Sequence, residues 1–394
     1  MRWLLVSLCL LSANCFAFYV QDGKDYALDM RGMVRAYGSY YRYDNSNNAL
    51  DNTDTALAAI GRLMIDLKMP SGTTAELNVY QTYIPDDLLA ADQLPLDVER
   101  SSLLEWSLSD ASYSHLAFDR LNIKTSWDNI DLTLGRQSIN LATTFYFTPN
   151  DLFAPFAAQN FYRVYKPGVD ALRVELNLGD FSQLELISVL GFERDTTTDT
   201  GWSNSPEASR GAHLVRLSTV IADQAWSFII AGMDTQSLMG VSFQGEMLDW
   251  LGIRMEGHVA DRDDQSRVKE ISMGLEHRWE NSMDLRLEYF YHGAGGDRVI
   301  NYGLYDSYYL ARRYLAVGLS YQLSPLMTID FLWNQNLVDY SDLYAFHALY
   351  SLADESELAI NLSLPRGEKN DDTVIMTEFG SYPATISLEL RHYF

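Results

Sequence analysis

The chain has 394 residues, of which 47% are hydrophobic and 21% are charged, and its formal net charge is −24. This hydrophobic content excludes a disordered chain, and the negative charge argues against a general nucleic-acid binder, which needs a cationic surface to replace phosphate counterions. After the N-terminus, no stretch reaches the ~18 uncharged apolar residues of a membrane-spanning helix. A bundle of hydrophobic membrane helices is therefore excluded too.

The first 17 residues have the pattern of a cleaved export signal. Arg2 supplies the positive charge, residues 3–11 are apolar, and Cys15-Phe16-Ala17 places small residues at the cleavage positions. We predict cleavage after the alanine, with lipoprotein processing at Cys15 as the alternative. Cys9 and Cys15 both lie in this segment, so the predicted mature domain, residues 18–394, has no thiol nucleophile and no cysteine-ligated cofactor.

Alternation of apolar and polar residues dominates the remaining chain. Between Leu251 and Val259, for example, apolar residues alternate with Arg254, Glu256 and His258. Successive side chains of a β-strand point to opposite faces, so each such segment has one apolar and one ionic face. The pattern predicts an all-β protein.

Eighteen strands are predicted, because turns and loops of two lengths separate the alternating segments. Short turns follow the even-numbered strands and longer polar loops follow most odd-numbered ones, which is the layout of an outer-membrane barrel. Poor alternation at 238–247 and an ambiguous region at 365–383 leave sixteen strands as the alternative. The predicted strands lie at 26–43, 57–69, 73–83, 115–126, 129–138, 168–179, 182–193, 210–220, 224–235, 238–247, 250–261, 268–280, 283–293, 310–323, 326–336, 342–352, 356–364 and 384–394.

Three features favour a transmembrane antiparallel β-barrel over a soluble periplasmic or secreted β-protein, which is the alternative. Aromatic residues recur near predicted strand ends, as at Tyr40 and Tyr308. The predicted strands, at about 9–12 residues, are long enough for a tilted membrane crossing. The chain ends at Phe394 after an alternating strand, which resembles the recognition signal of Gram-negative outer-membrane β-barrels.

A barrel of 16 to 18 strands encloses an aqueous lumen unless something plugs it. Inward-facing charges would then be solvated, with no cost of burial. Both signs are present at the predicted inward positions, which favours a passage for polar solutes. These positions are Asp29, Arg31, Arg35, Arg62, Asp66, Glu76, Asp131, Arg173, Glu175, Arg254, Glu256, Arg286, Glu288 and Asp330.

The region around residues 134–173 carries a family resemblance. Leu134-Gly135-Arg136-Gln137 is followed by an aromatic segment at 145–155 that contains Thr148-Pro149-Asn150-Asp151, and Pro167-Gly168 opens the next strand. This resembles porin-like families of Gram-negative outer membranes, including alginate-export-type barrels and related uncharacterised families. The resemblance covers about 40 residues and the C-terminal strand. It implies a porin-like outer-membrane barrel.

The loop at 139–167 is predicted to fold into the lumen and narrow it, because loops longer than ~12–15 residues in compact proteins usually have a function. The alternative is that Arg136 and Asp151 fix the loop to the wall through an ion pair, and both interpretations can hold together. The candidate charges at the constriction are Arg136, Asp151, Arg163, Lys166 and Arg173.

The sequence predicts no enzyme, cofactor or metal site. It has no Gly-x-Ser-x-Gly motif and no phosphate-binding Gly-rich loop, and its histidines lack metal-ligand spacing. The histidines are His115, His213, His258, His277, His292, His347 and His392.

Three functions are consistent with these predictions. The first is a channel for small polar or anionic solutes in the outer membrane of a Gram-negative cell. The second is a scaffold barrel that sheaths a partner of an export or electron-transfer apparatus, and the third is an outer-membrane enzyme. The expected partners are outer-membrane lipid and lipopolysaccharide, the barrel-assembly machinery through Phe394, and a small polar solute. Further copies of the chain are an additional option, and no nucleic acid is expected.

Overall fold

The structure is a computed structural model of the chain. It describes residues 19–22, 26–43, 53–85, 98–107, 113–198, 200–248, 250–264, 266–303, 309–369 and 375–394. The predicted export signal at 1–17 lies outside these residues. Within them, no helix is long and apolar enough to cross a membrane.

Eighteen antiparallel strands of the described chain form one closed ring. Each strand pairs with its neighbour in sequence, and β18 pairs with β1, so that Leu388 lies opposite Gly38. The strands are β1 (Ala27–Arg42), β2 (Thr53–Lys68), β3 (Thr73–Ile84), β4 (Tyr113–Trp127), β5 (Ile130–Gln137), β6 (Val169–Asn177), β7 (Ser182–Val189), β8 (Ala212–Ile221), β9 (Gln224–Met233), β10 (Gln236–Met247), β11 (Leu251–Arg262), β12 (Arg267–Arg278), β13 (Met283–His292), β14 (Arg313–Ser324), β15 (Met327–Asn336), β16 (Asp342–Ala353), β17 (Ser356–Arg366) and β18 (Ala384–Tyr393).

Shorter elements accompany the ring. The short strand Tyr19–Asp22 pairs with the start of β1, and Glu105–Ser107 pairs with β4 beyond the end of β5. Phe192–Arg194 and Trp202–Pro206 form a separate two-stranded sheet between β7 and β8. Single 3-10 turns occur at Ser102–Leu104, Ala208–Arg210, Val299–Asn301 and Phe379–Ser381.

The predicted number of strands is confirmed, and the alternative of sixteen is wrong. The segment with poor alternation is strand β10, which pairs along its length with β9 and β11. The start of β2 differs from the prediction, because Thr53–Ala56 pairs with Ser39–Arg42 of β1. These small and polar residues carry no apolar alternation, so the extra strand length could not be predicted from it.

The outer face of the barrel is apolar. Across β11 to β14, Ile253, Leu275, Leu287 and Val317 are successive cross-strand neighbours. Leu275 and Leu287 remain 39% and 41% exposed. The charged residues that alternate with them, such as Glu288, point to the other face, as predicted. An apolar surface that surrounds the whole barrel fits lipid rather than water, so the fold is that of a transmembrane barrel.

The barrel closes between β1 and the end of the chain. The N–H of Phe394 donates to the carbonyl of Gly32 on β1 at 2.9 Å, and the N–H of Gly32 donates to the carbonyl of Phe394 at 2.5 Å. A Cβ atom on Gly32 would lie 2.1 Å from the Phe394 ring. The aromatic ring of Phe394 therefore occupies the space that a side chain at Gly32 would need.

Candidate functional site

Residues 138–168, here called the inner loop, connect β5 to β6 and contact strands around much of the barrel. Ile139 and Leu141 pack with side chains of β7 to β9, among them Ile187 and Leu214. Later parts of the loop contact β10, β11, β13, β14, β16 and β18 and then β1 and β2. The wall residues that the loop meets, such as Glu288, lie on the face opposite the apolar surface. The inner loop therefore lies inside the barrel.

Glu288 on β13 holds the backbone of the inner loop. Its carboxylate accepts N–H groups from Phe145 at 2.8 Å, Tyr146 at 3.1 Å and Phe147 at 2.6 Å. The Ser272 hydroxyl on β12 donates to the same carboxylate at 3.0 Å. Glu288 is fully buried. Several donors thus surround a carboxylate that would be costly to bury alone.

Glu256 on β11 holds the loop backbone on both sides of the segment that Glu288 binds. It accepts N–H groups from Thr143, from Thr144 at 3.1 Å and from Asn150 at 3.1 Å. The Asn150 side chain also donates to the Ser242 hydroxyl on β10 at 3.0 Å. Two wall carboxylates therefore fix the backbone of residues 143–150 through directional hydrogen bonds.

Aromatic packing continues the same contact. Phe147 stacks on Phe290 of β13, with ring centroids 5.0 Å apart, and both pack against Tyr314 of β14. A Cβ atom on Gly318 of β14 would lie 1.6 Å from the Tyr146 hydroxyl oxygen. The wall thus has a glycine where the Tyr146 side chain packs against it.

The second half of the inner loop meets the wall through side chains. The Phe161 ring stacks on His347 of β16 at 5.3 Å. The Tyr162 ring lies between Arg35 of β1 and Arg391 of β18, whose guanidinium carbons are 4.6 Å and 4.1 Å from the ring centroid. Such cation–π contacts contribute ~0.5–2 kcal/mol each. At these points the wall contacts described for the loop are made by aromatic rings.

Two of the predicted constriction charges pair with each other. Lys166 donates to the Asp151 carboxylate, which also accepts the N–H of Leu141 at 3.2 Å. Both side chains are buried, with 7% and 3% of their surface exposed. This pair joins the middle of the inner loop to its end, and the Leu141 contact adds the beginning of the loop. It holds the loop in shape rather than presenting charge to a solute.

Arg136 is fully buried and does not reach an open space. It forms two hydrogen bonds of 2.9 Å to Asp170 of β6 and one of 2.7 Å to the carbonyl of Ser101. Its guanidinium is also 3.4 Å from Glu105. The ion pair between Arg136 and Asp151 that we considered does not form. Arg136 instead fixes the segment 98–107 against the ends of β5 and β6.

Arg163 and Arg173 are less buried. Arg163 donates to the carbonyls of Asn160 at 2.7 Å and Ala158 at 3.0 Å, and so stabilises a bend of the inner loop. Arg173 on β6 lies on the inner wall beside Glu185 and Glu175, with 27% of its side chain exposed.

Sequence reasoning missed a buried charge network at β4. Arg62 of β2 is 2.8 Å from Asp119, which also accepts the N–H of Gly168 at 3.2 Å. Arg100 is 3.4 Å from the same carboxylate. The β3–β4 register shifts at this point, which turns two consecutive charges, Asp119 and Arg120, to the same side. Two adjacent charges in an otherwise alternating strand were the available signal.

Cavities lie on both sides of the inner loop. One of about 370 Å³ on the long-loop side is lined by Arg35, Tyr162 and Arg391. A second, of about 510 Å³ on the short-turn side, has Thr143 and Arg216 in its lining. The third, of about 170 Å³, is lined by Phe145 and also by Arg163, Arg286 and Asp330.

No group of three or more His, Cys, Asp or Glu side chains that could hold a metal occurs in the described part of the chain. The fold and the interior together define a class of protein: a large transmembrane β-barrel in which a long loop lies across the lumen between polar cavities.

Comparison with known proteins gives the same fold. No protein-family model matches the sequence, and no protein of curated function matches it either. OccAB3 of Acinetobacter baumannii is similar to 93% of this chain over 99% of its own, with 12% identity and a TM-score of 0.60. OccK9 (OpdG) of Pseudomonas aeruginosa covers 93% and 98%, with 11% identity and a TM-score of 0.61. OccAB4 of A. baumannii covers 95% and 99%, with 10% identity and a TM-score of 0.58. Identities this low show a shared fold and nothing further.

Proposed function

We propose that this protein is a porin-like channel of the Gram-negative outer membrane, through which small polar or anionic solutes diffuse. Closed antiparallel barrels with short turns at one end and long loops at the other are typical of that membrane. The single observation that carries the proposal is the series of polar cavities along the inner loop, because a barrel built only as a scaffold has no need of them.

Arginine side chains support an anionic or polar solute. Arg35 and Arg391 line the cavity on the long-loop side, and Arg216 lines the large cavity on the short-turn side. Guanidinium groups bind carboxylates through charge-assisted hydrogen bonds. Carboxylates such as Glu389, which is 2.6 Å from Arg35, balance part of this charge. The proposed selectivity is therefore weak.

The predicted constriction charges divide into two groups. Arg163 lines the cavity that Phe145 also lines, and Arg173 is partly exposed on the inner wall, so we propose that both face the solute path. Arg136, Asp151 and Lys166 are assigned to holding the loops in place, because their charges are paired and buried.

Planar-bilayer recordings test the channel. The purified protein is expected to give stepwise conductance and, in a salt gradient, a reversal potential close to zero. Replacing Arg35 and Arg391 together with Gln should shift that potential towards cations, whereas Arg267→Gln, which changes an outer-rim arginine, should not. Absence of any conductance from correctly folded protein would overturn the channel, and the scaffold hypothesis would then be preferred.

Finer parts of the proposal have separate tests. Cleavage after Ala17 predicts a mature chain that begins at Phe18, which N-terminal sequencing of the inserted protein would detect. Recognition of Phe394 by the assembly machinery predicts that Phe394→Ser remains in the periplasm. Normal insertion of this variant would contradict that role. Membership in the alginate-export-type group stays a prediction.

A further inference from the structure

Charged side chains on the lipid-facing side of the barrel lie at one rim. Alternation with the apolar surface assigns every strand residue to one face, and the outward positions next to the short turns are apolar, uncharged polar or histidine, such as Leu178 and His277. The charged outward residues of the described strands are all at the long-loop end: Arg42, Arg136, Asp170, Asp261, Arg267, Lys269, Arg313, Asp342 and Arg366.

Some of these charges are neutralised within the protein. Arg136 binds Asp170, and Arg267 is 2.6 Å from Asp261. Asp342 is buried and accepts the indole N–H of Trp333 at 2.8 Å. The remaining ones form no ion pair in the described structure and are exposed. They are all cationic: Arg42, Lys269, Arg313 and Arg366.

The four free cations form two pairs of similar geometry. Lys269 on β12 and Arg313 on β14 flank β13, since the N–H of Gly293 binds the carbonyl of Lys269 and Arg313 lies opposite Tyr291. Strands two positions apart are separated by ~10 Å, which long side chains can span from both sides. Tyr291, an outward-facing residue, is on the strand between the two cations.

The second pair flanks β18. Arg42 of β1 lies opposite Ala384. Arg366 ends β17, whose Ser363 lies opposite Thr385 of β18. The two arginines therefore also lie two strands apart at the same rim. The pair arrangement occurs twice on one barrel whose overall charge is −24.

We propose that each pair binds a phosphate group of a phosphorylated lipid in the membrane leaflet on the long-loop side. Outward apolar residues directly below the cations, such as Leu315 and Leu364, would contact the acyl chains of that lipid. A phosphate between two cationic side chains receives several charge-assisted hydrogen bonds. The sign of the rim, opposite to that of the chain as a whole, matches an anionic layer of headgroups. This binding surface is independent of conduction through the barrel.

Native mass spectrometry of the full-length protein in detergent tests the proposal. The probes are bisphosphorylated lipid A and the same lipid with both phosphates removed. Wild-type protein should retain the phosphorylated form about tenfold better, a difference expected for a few charge-assisted contacts. The variant Lys269→Gln/Arg313→Gln/Arg42→Gln/Arg366→Gln should lose this preference.

The matched control is Asp261→Asn/Arg267→Gln, which removes a rim ion pair without changing the net charge, and it should keep the preference. Equal retention of the two lipids by the wild-type protein, or an unchanged preference in the quadruple variant, would overturn the proposal. Displacement of the lipid by millimolar inorganic phosphate would also overturn it, because the site would then recognise free phosphate.

Folding is controlled separately. Each double variant, Lys269→Gln/Arg313→Gln and Arg42→Gln/Arg366→Gln, should lose part of the preference, so the test does not depend on the quadruple variant reaching the folded state. Conductance of either double variant in a bilayer of uncharged lipid should equal that of the wild-type protein. A protein that conducts but shows no lipid preference would contradict this inference and leave the channel proposal standing.

Discussion

Where the inner loop crosses β11 and β13, its backbone N–H groups point at Glu256 and Glu288, whereas near β1 and β18 the ring of Tyr162 lies between Arg35 and Arg391. The first contact fixes the course of the chain, because each hydrogen bond depends on the direction of an N–H group. The second fixes a ring, whose face tolerates sliding. The carboxylate side, meaning the contacts with Glu256 and Glu288, thus sets where the loop lies. The arginine side, meaning the contacts with Arg35 and Arg391, sets the width and the charge of the lumen that the loop leaves open.

The largest effect is expected when the carboxylate side is removed. Glu256→Ala/Glu288→Ala leaves the N–H groups of residues 143–147 and of Asn150 without these acceptors, at a cost of ~1–3 kcal/mol for each one that stays buried. The loop should leave the wall, and single-channel conductance should rise by about twofold or more, because a larger cross-section of the lumen becomes open to ions. Asp131→Ala is the control, since Asp131 also lies on the inner wall but pairs with Lys124 of β4, and among the described residues neither forms an ion pair or hydrogen bond with the inner loop. Unchanged conductance in the double variant would show that Glu256 and Glu288 do not fix the position of the loop.

A pH effect is expected from Glu378, a further buried carboxylate, which lies in the loop between β17 and β18. It accepts the Tyr314 hydroxyl at 2.5 Å and the Asn336 side chain at 2.8 Å, and it links the segments before β14 and β18. Burial, with the nearby Asp339 carboxylate adding to it, raises the pKa of Glu378 to about 7. Glu378 therefore binds its proton more tightly when these loops are packed than when they are released.

The packing contributed by Glu378 should be complete below about pH 4.5, where both states are protonated, and should be lost as the pH rises through about 7. Open-channel time should accordingly increase between acidic and mildly alkaline pH. Glu378→Gln should remove this dependence, and Glu368→Gln, a change at an exposed acid in the same loop, should preserve it. Equal pH profiles of the wild-type and Glu378→Gln proteins would contradict the assignment.

A smaller effect is expected on the arginine side. Tyr162→Leu removes two cation–π contacts, worth ~0.5–2 kcal/mol each, and leaves the hydrogen bonds to Glu256 and Glu288 in place. Conductance should change little, while the reversal potential should move towards anions because Arg35 and Arg391 lose their ring cover. Tyr344→Leu, at an outward-facing tyrosine, should change neither quantity. A large rise in conductance from Tyr162→Leu would show that the ring also fixes the backbone.

The smallest effect is expected at Arg173. Its charge is compensated by Glu185 and Glu175, so Arg173→Gln should shift the reversal potential only slightly towards cations. The shift should shrink further at high salt, since the Debye length falls from ~8 Å at physiological ionic strength to ~3 Å at 1 M. If the shift were as large as the one expected from replacing Arg35 and Arg391, the narrowest part of the lumen would lie near β6.

Most strands were predictable because they carry their own alternation, as in Leu251–Arg262 and Ala384–Tyr393. The contacts of the inner loop were not. Glu256 and Glu288 were placed on the inner wall, but their partners are backbone N–H groups, which every residue carries and which therefore leave no trace in a sequence.

Arg136 illustrates the same limit for side chains. The motif around it was identified, yet several acidic residues could have paired with it. Its partner is Asp170, 34 positions away on the neighbouring strand. Only the register of β5 against β6 brings the two together, because Arg136 lies directly opposite Asp170. The register depends on where the intervening loop leaves and rejoins the sheet.

The contact between Phe394 and Gly32 has a consequence for the order of assembly. Neighbours across this seam are as far apart in the chain as Arg35 and Glu389, which are separated by 354 positions. Hairpins elsewhere in the ring can form from nearby residues, but the seam is a non-local contact of the kind that slows folding. Until β18 is available, β1 and the growing last strand both expose unpaired edges that invite aggregation. Sealing the ring is thus a late step, and it removes both edges at once.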